Sequence, residues 1–228
     1  MAAKRYNIGL VVANIEDAFS NSICKGAIQA AEELNDNLFI IPAKYLDYCS
    51  FEDPLMQYEY QYNTLISYAR SASLDVILLC LSSIGITTSQ ERCDEVLHSF
   101  DGYPIILIAS DDERYSCVRY NNKSALSEGI SHLITVEGRK NIGMVVGSLN
   151  NSDCRERLET YKETLAHHGL PIIESAIKES FGDFNCLPEV DSFLDANPNL
   201  DAIVCNNDSM AQAIYKALNK RRISIGDQ

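Results

Sequence analysis

Two arginines, Arg155 and Arg157, stand in the run Asn150-Asn-Ser-Asp-Cys-Arg-Glu-Arg-Leu158, just past an apolar segment and where a helical pattern begins. The positive end of a helix dipole disfavours cations, so guanidinium groups there ask for a reason. One reason is a grip on hydroxyl or carboxylate oxygens, each charge-assisted bond contributing roughly 1.5–3 kcal/mol. The other is a surface ion pair with Glu156 or Glu159, worth little. Phe19 and Phe184 also follow apolar segments. Either ring could stack on a sugar or nucleobase, or simply pack in a core. Asp111, Asp112 and Glu113 crowd three carboxylates together. They could hold magnesium for phosphoryl chemistry, or form a solvated acidic loop. Magnesium chemistry of that type wants a matching acidic pair after the first strand, and Glu16–Asp17 is only loosely placed for it.

Other chemistries find no support. A nucleophile elbow needs Gly-x-Ser-x-Gly, and phosphate-cradling loops need Gly-x-Gly-x-x-Gly or Gly-x-x-x-x-Gly-Lys; none occurs. The eight cysteines are widely and irregularly spaced with no Cys-x-x-Cys pair. They read as reduced packing residues of a cytoplasmic protein, not as disulfides or a zinc site. His132 lies on an apolar helical face and reads as a core or boundary residue; His167 and His168 close a helix before Gly169. No metal and no cofactor is expected. The net charge of −13 argues against direct binding of nucleic acid or an anionic membrane. The apolar run 6–15 is ended by Glu16 and Asp17, too short for a membrane span and without an export cleavage site.

Positioning elements come from hydrophobic period. Nearly continuous apolar runs predict buried parallel strands over 7–12, 38–41, 76–81, 104–108, 141–146, 172–178 and 202–205. Helical patterns fall between them, over 19–34, 58–72, 89–99, 124–136, 153–168, 188–196 and 208–220. Thr88 to Glu91 and Asp153 to Glu156 have capping-box spacing. Strand–helix alternation implies an α/β fold with parallel sheets flanked by helices. The polar break after Ile108 divides it into two Rossmann-like lobes, 1–116 and 123–228, joined by a crossover hinge at 117–122. In such sheets ligands bind beyond the carboxyl ends of the strands. The candidate segments are therefore 14–20, 82–84, 109–112, 147–157, 180–184 and 206–208, which include Ser82 and Ser110.

An ordered set of short stretches carries a family resemblance. They are Ile8-Gly-Leu-Val-Val12, Asp17-Ala-Phe19, Gly26-Ala27, Pro104-Ile-Ile-Leu-Ile108 and Asn121-Asn122. The order continues with His132-Leu-Ile134, Gly138-Arg-Lys-Asn-Ile-Gly143, Arg157-Leu-Glu-Thr-Tyr161, Gly182-Asp-Phe184 and Asp201-Ala-Ile-Val-Cys-Asn-Asn-Asp208. The chain resembles the type 1 periplasmic-binding-protein fold, in particular the effector domains of LacI-type repressors and the ribose-binding protein.

The resemblance implies a ligand site in the interlobe cleft, using Asp17, Phe19 and Ser20 from the first lobe and Arg157, Phe184 and Asn207 from the second, with Asn121 and Asn122 at the hinge. Ala109-Ser110 stands where sugar binders carry an Asp-Arg pair, and Ser20 replaces an aromatic, so the ligand class stays open among sugars, nucleobases and other metabolites. The expectation is a small-molecule sensor, not an enzyme, that transmits closure to an output domain or a homodimer partner. GGDEF or histidine kinase outputs fit the lack of a helix-turn-helix headpiece in the sequence. The alternatives are the effector domain of a LacI-type transcriptional repressor and an α/β enzyme built on Asp111 and Asp112. The family pattern continues past Gln228 into a Val-Val-Gly-Phe-Asp strand, so an incomplete second lobe is expected.

Overall fold

Alternate residues of the first strand feed different cores. In β1 (Asn7–Val12), Leu10 and Val12 cluster with Cys24 of α1 (Ala18–Leu34), while Val11 joins the opposite layer with Ile66, Leu97 and Phe100. This is the period-2 geometry of a strand buried on both faces. The computed structural model describes residues 4–49, 56–110, 112–180 and 187–226. The chain divides into two compact units, Met1–Tyr120 and Asn121–Gln228.

In the first unit, β1 and α1 lead to β2 (Asn37–Pro42), then a 3-10 turn (Glu59–Asn63) that runs into α2 (Thr64–Ser71). β3 (Val76–Leu79), the short α3 (Leu81–Ile84), α4 (Gln90–Ser99), β4 (Ile105–Ile108) and β5 (Ser116–Val118) complete it. The five strands pair in the order β2-β1-β3-β4-β5, all parallel. Their carboxyl ends therefore leave the sheet on the same side.

The second unit contains α5 (Asn122–Thr135), β6 (Ile142–Val146), α6 (Ser152–His167), β7 (Ile177–Glu179), α7 (Leu187–Ala196), β8 (Ala202–Cys205) and α8 (Asp208–Lys220). Its three-stranded sheet, β7-β6-β8, is also parallel. β6 is buried along its whole length. Ile142, Met144 and Val146 pack with Ile130, Tyr161 and Leu165, whereas Val145 packs with Phe193, Met210 and Ile214. Gly143 lets two layers approach: a Cβ there would lie 2.8 Å from Leu200 Cδ1 and 3.1 Å from Phe193 Cζ. Two parallel sheets flanked by helices are the α/β architecture that the periodicity implied.

Several boundaries differ from the sequence reading. β5 falls within the polar break and the expected crossover; its three residues are all exposed, so no apolar signal marks it. The expected strand at 172–178 shrinks to Ile177–Glu179, because Ile172 and Ile173 lie 39% and 37% exposed ahead of a 3-10 turn. Both capping boxes are displaced. Ser89, not Thr88, caps α4 by accepting from Arg92 N, and Asn151, not Asp153, caps α6. The seven cysteines among the described residues are free, and no described helix is long and apolar enough to cross a membrane.

Candidate functional site

At the carboxyl end of β1, Asp17 is the N-cap of α1. Its Oδ1 accepts from Ser20 N at 2.7 Å and its Oδ2 from Ser20 Oγ at 2.9 Å. Ser20 is 1% exposed, so its hydroxyl is committed to the cap, whereas the ring of Phe19 is 41% exposed. At the ends of β3 and β4, Ser82 and Ser110 serve each other. Ser82 N donates to Ser110 Oγ at 2.8 Å, and Ser82 Oγ donates to Ala109 O at 2.6 Å. Ala109 sits between them at φ 53°, a left-handed conformation that costs a non-glycine residue roughly 1–3 kcal/mol and concentrates at functional sites.

Lys44, just past β2, is a residue the sequence reading missed. Its ammonium lies 3.3 Å from Glu59 Oε1, donates to Asn14 Oδ1 at 3.3 Å and sits 5.7 Å from the centre of the Tyr62 ring. Both members of the Lys44–Glu59 pair are largely buried. Burial, with help from Asp17 and Glu59, pushes the nearby Tyr45 phenol above its ordinary pKa. No sequence motif announces this cluster, because the fold brings its members together from the ends of β1 and β2 and from the 3-10 turn Glu59–Asn63.

In the acidic loop, Asp112 is taken up by an arginine. Arg114 Nε donates to Asp112 Oδ1 at 2.9 Å, and its Nη2 donates to Asp112 Oδ2 at 2.6 Å and Asp94 Oδ1 at 3.2 Å. That guanidinium holds the Asp112 carboxyl below the usual carboxylate range. Among the described residues no cluster of His, Cys, Asp and Glu could hold a metal ion. Asp111 and Phe184 lie outside the described residues.

In the second unit the polar centre is Arg157 on α6. Its Nε and Nη2 donate to Asn122 Oδ1 at 3.2 and 3.0 Å, and its Nη1 donates to the Asn206 carbonyl oxygen. Asn122 Nδ2 in turn donates to Asp153 Oδ1 and Glu156 Oε2, each at 3.3 Å. Asn206 Nδ2 donates to the Cys154 thiol at 3.4 Å, while Asn206 Oδ1 is buried without a partner among the described residues. Gly147 makes the close approach possible, since a Cβ there would lie 2.7 Å from Cys154 Sγ. Burial raises the Cys154 pKa, and the charge of Arg157 opposes that rise.

Arg155 is different: it is exposed and donates to Leu149 O at 2.6 Å. Asn207 caps α8 by accepting from Met210 N at 2.9 Å, and Asn121 caps α5 by accepting from Ser124 N at 3.1 Å. His132, read from the sequence as a core or boundary residue, is exposed instead, its side chain 59% accessible beside Glu137. Within this unit the structure thus brings Arg157 together with Asn122, Asn206, Cys154 and two carboxylates, and assigns Asn207 to helix capping.

The chain as a whole is similar to known proteins. The profile described as "periplasmic binding proteins and sugar binding domain of LacI family" matches residues 63–228. The HTH-type transcriptional regulator AscG of Escherichia coli (strain K12) is 24% identical over 234 residues, covering 100% of this chain and 64% of that protein. The HTH-type transcriptional regulator DegA of Bacillus subtilis (strain 168) is 25% identical over 231 residues, with the same coverage of 100% and 64%. The chain thus spans 64% of the length of each regulator. The crystal structure of the transcription regulator CcpA of Lactococcus lactis superposes with a TM-score of 0.76 at 16% identity, covering 98% of this chain and 76% of that one. That last likeness is one of fold.

Proposed function

Because the chain belongs to the family of periplasmic binding proteins and LacI-type sugar-binding domains, we propose that it is the metabolite-sensing part of a transcription regulator. The relatives aligned along the whole chain are HTH-type regulators, which favours this reading over the GGDEF or kinase outputs expected from sequence. The ligand is a small polar metabolite, with a sugar as the leading class. The candidate contacts are the residues Asp17, Phe19, Ser20, Ser82, Ser110, Arg157, Phe184 and Asn207, each just past a strand end in the sequence. Ligand binding shifts the population of two conformations, and the shift is read by a homodimer partner or by a DNA-contacting part of a larger cytoplasmic protein. The net charge of −13 puts any DNA contact on residues other than these. No catalytic step is assigned to the chain.

The observation that carries the ligand reading is the state of Arg157. A guanidinium has five N–H donors. Those on Nε, on one side of Nη2 and on one side of Nη1 are used by Asn122 and Asn206. Among the described residues, one N–H on each terminal nitrogen is left to offer to a ligand oxygen. The test is a melting-temperature screen with D-glucose, D-ribose, cellobiose, adenine and guanine, followed by titration calorimetry. A compound that stabilises the protein, and fails to do so after Arg157→Ala, supports the proposal. Absence of any stabilising compound, or full binding by Arg157→Ala, overturns it.

A further inference from the structure

We propose that Asn122 is a positioning residue that aims the Arg157 guanidinium, an inference that rests on the ligand-binding reading above. Asn122 is the first residue of α5 and 9% exposed. A side-chain amide has an acceptor end and a donor end, and both ends here meet the chemistry they need. The acceptor, Oδ1, takes two N–H groups of Arg157; the donor, Nδ2, faces the carboxylates of Asp153 and Glu156. The amide therefore forms a relay, carboxylates to amide to guanidinium. Gripping Nε and Nη2 together fixes the guanidinium plane as well as its place, which a single bond could not do. The Asn206 carbonyl oxygen holds the Nη1 side.

The amide serves both ends because it carries an acceptor and a donor on one carbon. Leucine, of similar shape, would remove the acceptor and the donor. Aspartate would keep the acceptor but turn a third carboxylate toward Asp153 and Glu156. The pair Asn122→Asp with Glu156→Gln restores one donor opposite one acceptor. A plain structural staple between α5 and α6 would make Asn122 matter for stability alone. A positioning residue must also change the behaviour of Arg157 itself.

The experiment reads the Arg157 Nε–Hε signal of the full chain by 1H–15N NMR, assigned by its loss in Arg157→Lys. In the wild type this proton should exchange slowly with solvent. Asn122→Leu should speed exchange by roughly tenfold or more, the equivalent of one lost charge-assisted bond. The Asn122→Asp/Glu156→Gln double variant should recover the slow exchange. Backbone spectra establish that each variant is folded, and Asn122→Ser replaces Asn122→Leu if the latter is not. For any compound found in the five-compound screen, Asn122→Leu should weaken binding by about tenfold on the same grounds, while Arg155→Ala does not. Unchanged Nε–Hε exchange in Asn122→Leu overturns the positioning role. So does faster exchange with unaltered affinity for a screen hit. If no compound binds the wild type, the ligand reading falls, and the exchange measurement alone decides whether Asn122 holds Arg157.

Discussion

Asp17 closes both carboxylate oxygens on Ser20, one on its backbone N–H at 2.7 Å and one on its hydroxyl at 2.9 Å. The pair that the family resemblance assigns to the ligand is thus also the start of α1. Asp17→Ala should lower the unfolding free energy by about 1 kcal/mol, the usual worth of an N-cap. Ser20→Ala keeps the backbone bond and should cost clearly less. Urea titration of the two variants checks this. Equal losses would mean that the hydroxyl, not the cap, carries the interaction.

Gly147 and Cys154 form a tight pair. A methyl group on residue 147 would meet the Cys154 sulfur at 2.7 Å. Gly147→Ala should destabilise the protein by roughly 1–3 kcal/mol through overpacking. Cys154→Ala in the same chain removes the obstructing sulfur and should return much of that loss. A double-mutant cycle measures the coupling; additive losses would show that the strain lies in the backbone instead.

Arg114 occupies both oxygens of Asp112 and reaches Asp94 as well. A magnesium ion would have to displace this guanidinium. Millimolar magnesium should therefore leave the melting temperature unchanged, and Asp112→Asn should create no magnesium dependence. A clear rise with magnesium, lost in Asp112→Asn, would restore the enzyme alternative.

What was readable in the sequence follows its physical range. β1 and β6 are apolar runs buried on both faces, so composition alone marks them. The span of α8, 208–220, is read correctly at both ends because a good cap, Asn207, precedes an apolar stripe. β5 is short and exposed, and gives no pattern to find. Arg155 and Arg157 could be noticed together because cations at a helix start are electrostatically odd, and the family resemblance set Arg157 ahead. Its partners could not, since Asn122 lies 35 positions away and Asn206 lies 49. Lys44 escaped for the same reason, being 30 positions from Asn14. Local rules find the elements and the oddly placed charge; only the fold reveals what holds that charge.

Two buried groups should make stability fall at alkaline pH. Burial pushes the Cys80 thiol up to about 12 from an ordinary 9.0, and the Tyr161 phenol up to about 12 from 10.0. Tyr161 also donates its hydroxyl to Ile142 O at 2.7 Å, which requires the proton. In the unfolded chain both groups lose their protons first, so the unfolded state binds fewer protons between those values. Stability should be complete below the ordinary thiol value, fall as pH rises, and stop falling from this source above about 12. Each group adds a slope of up to about 1.4 kcal/mol per pH unit inside its window. Cys80→Ala and Tyr161→Phe should each flatten the fall relative to wild type. Tyr161→Phe should in addition lose about 1–3 kcal/mol at neutral pH, because the Ile142 carbonyl is left buried without its donor. Urea unfolding at stepped pH separates the two effects, since the bond is a constant offset and the ionisation a slope. A variant slope equal to that of the wild type would show that the group titrates alike in both states.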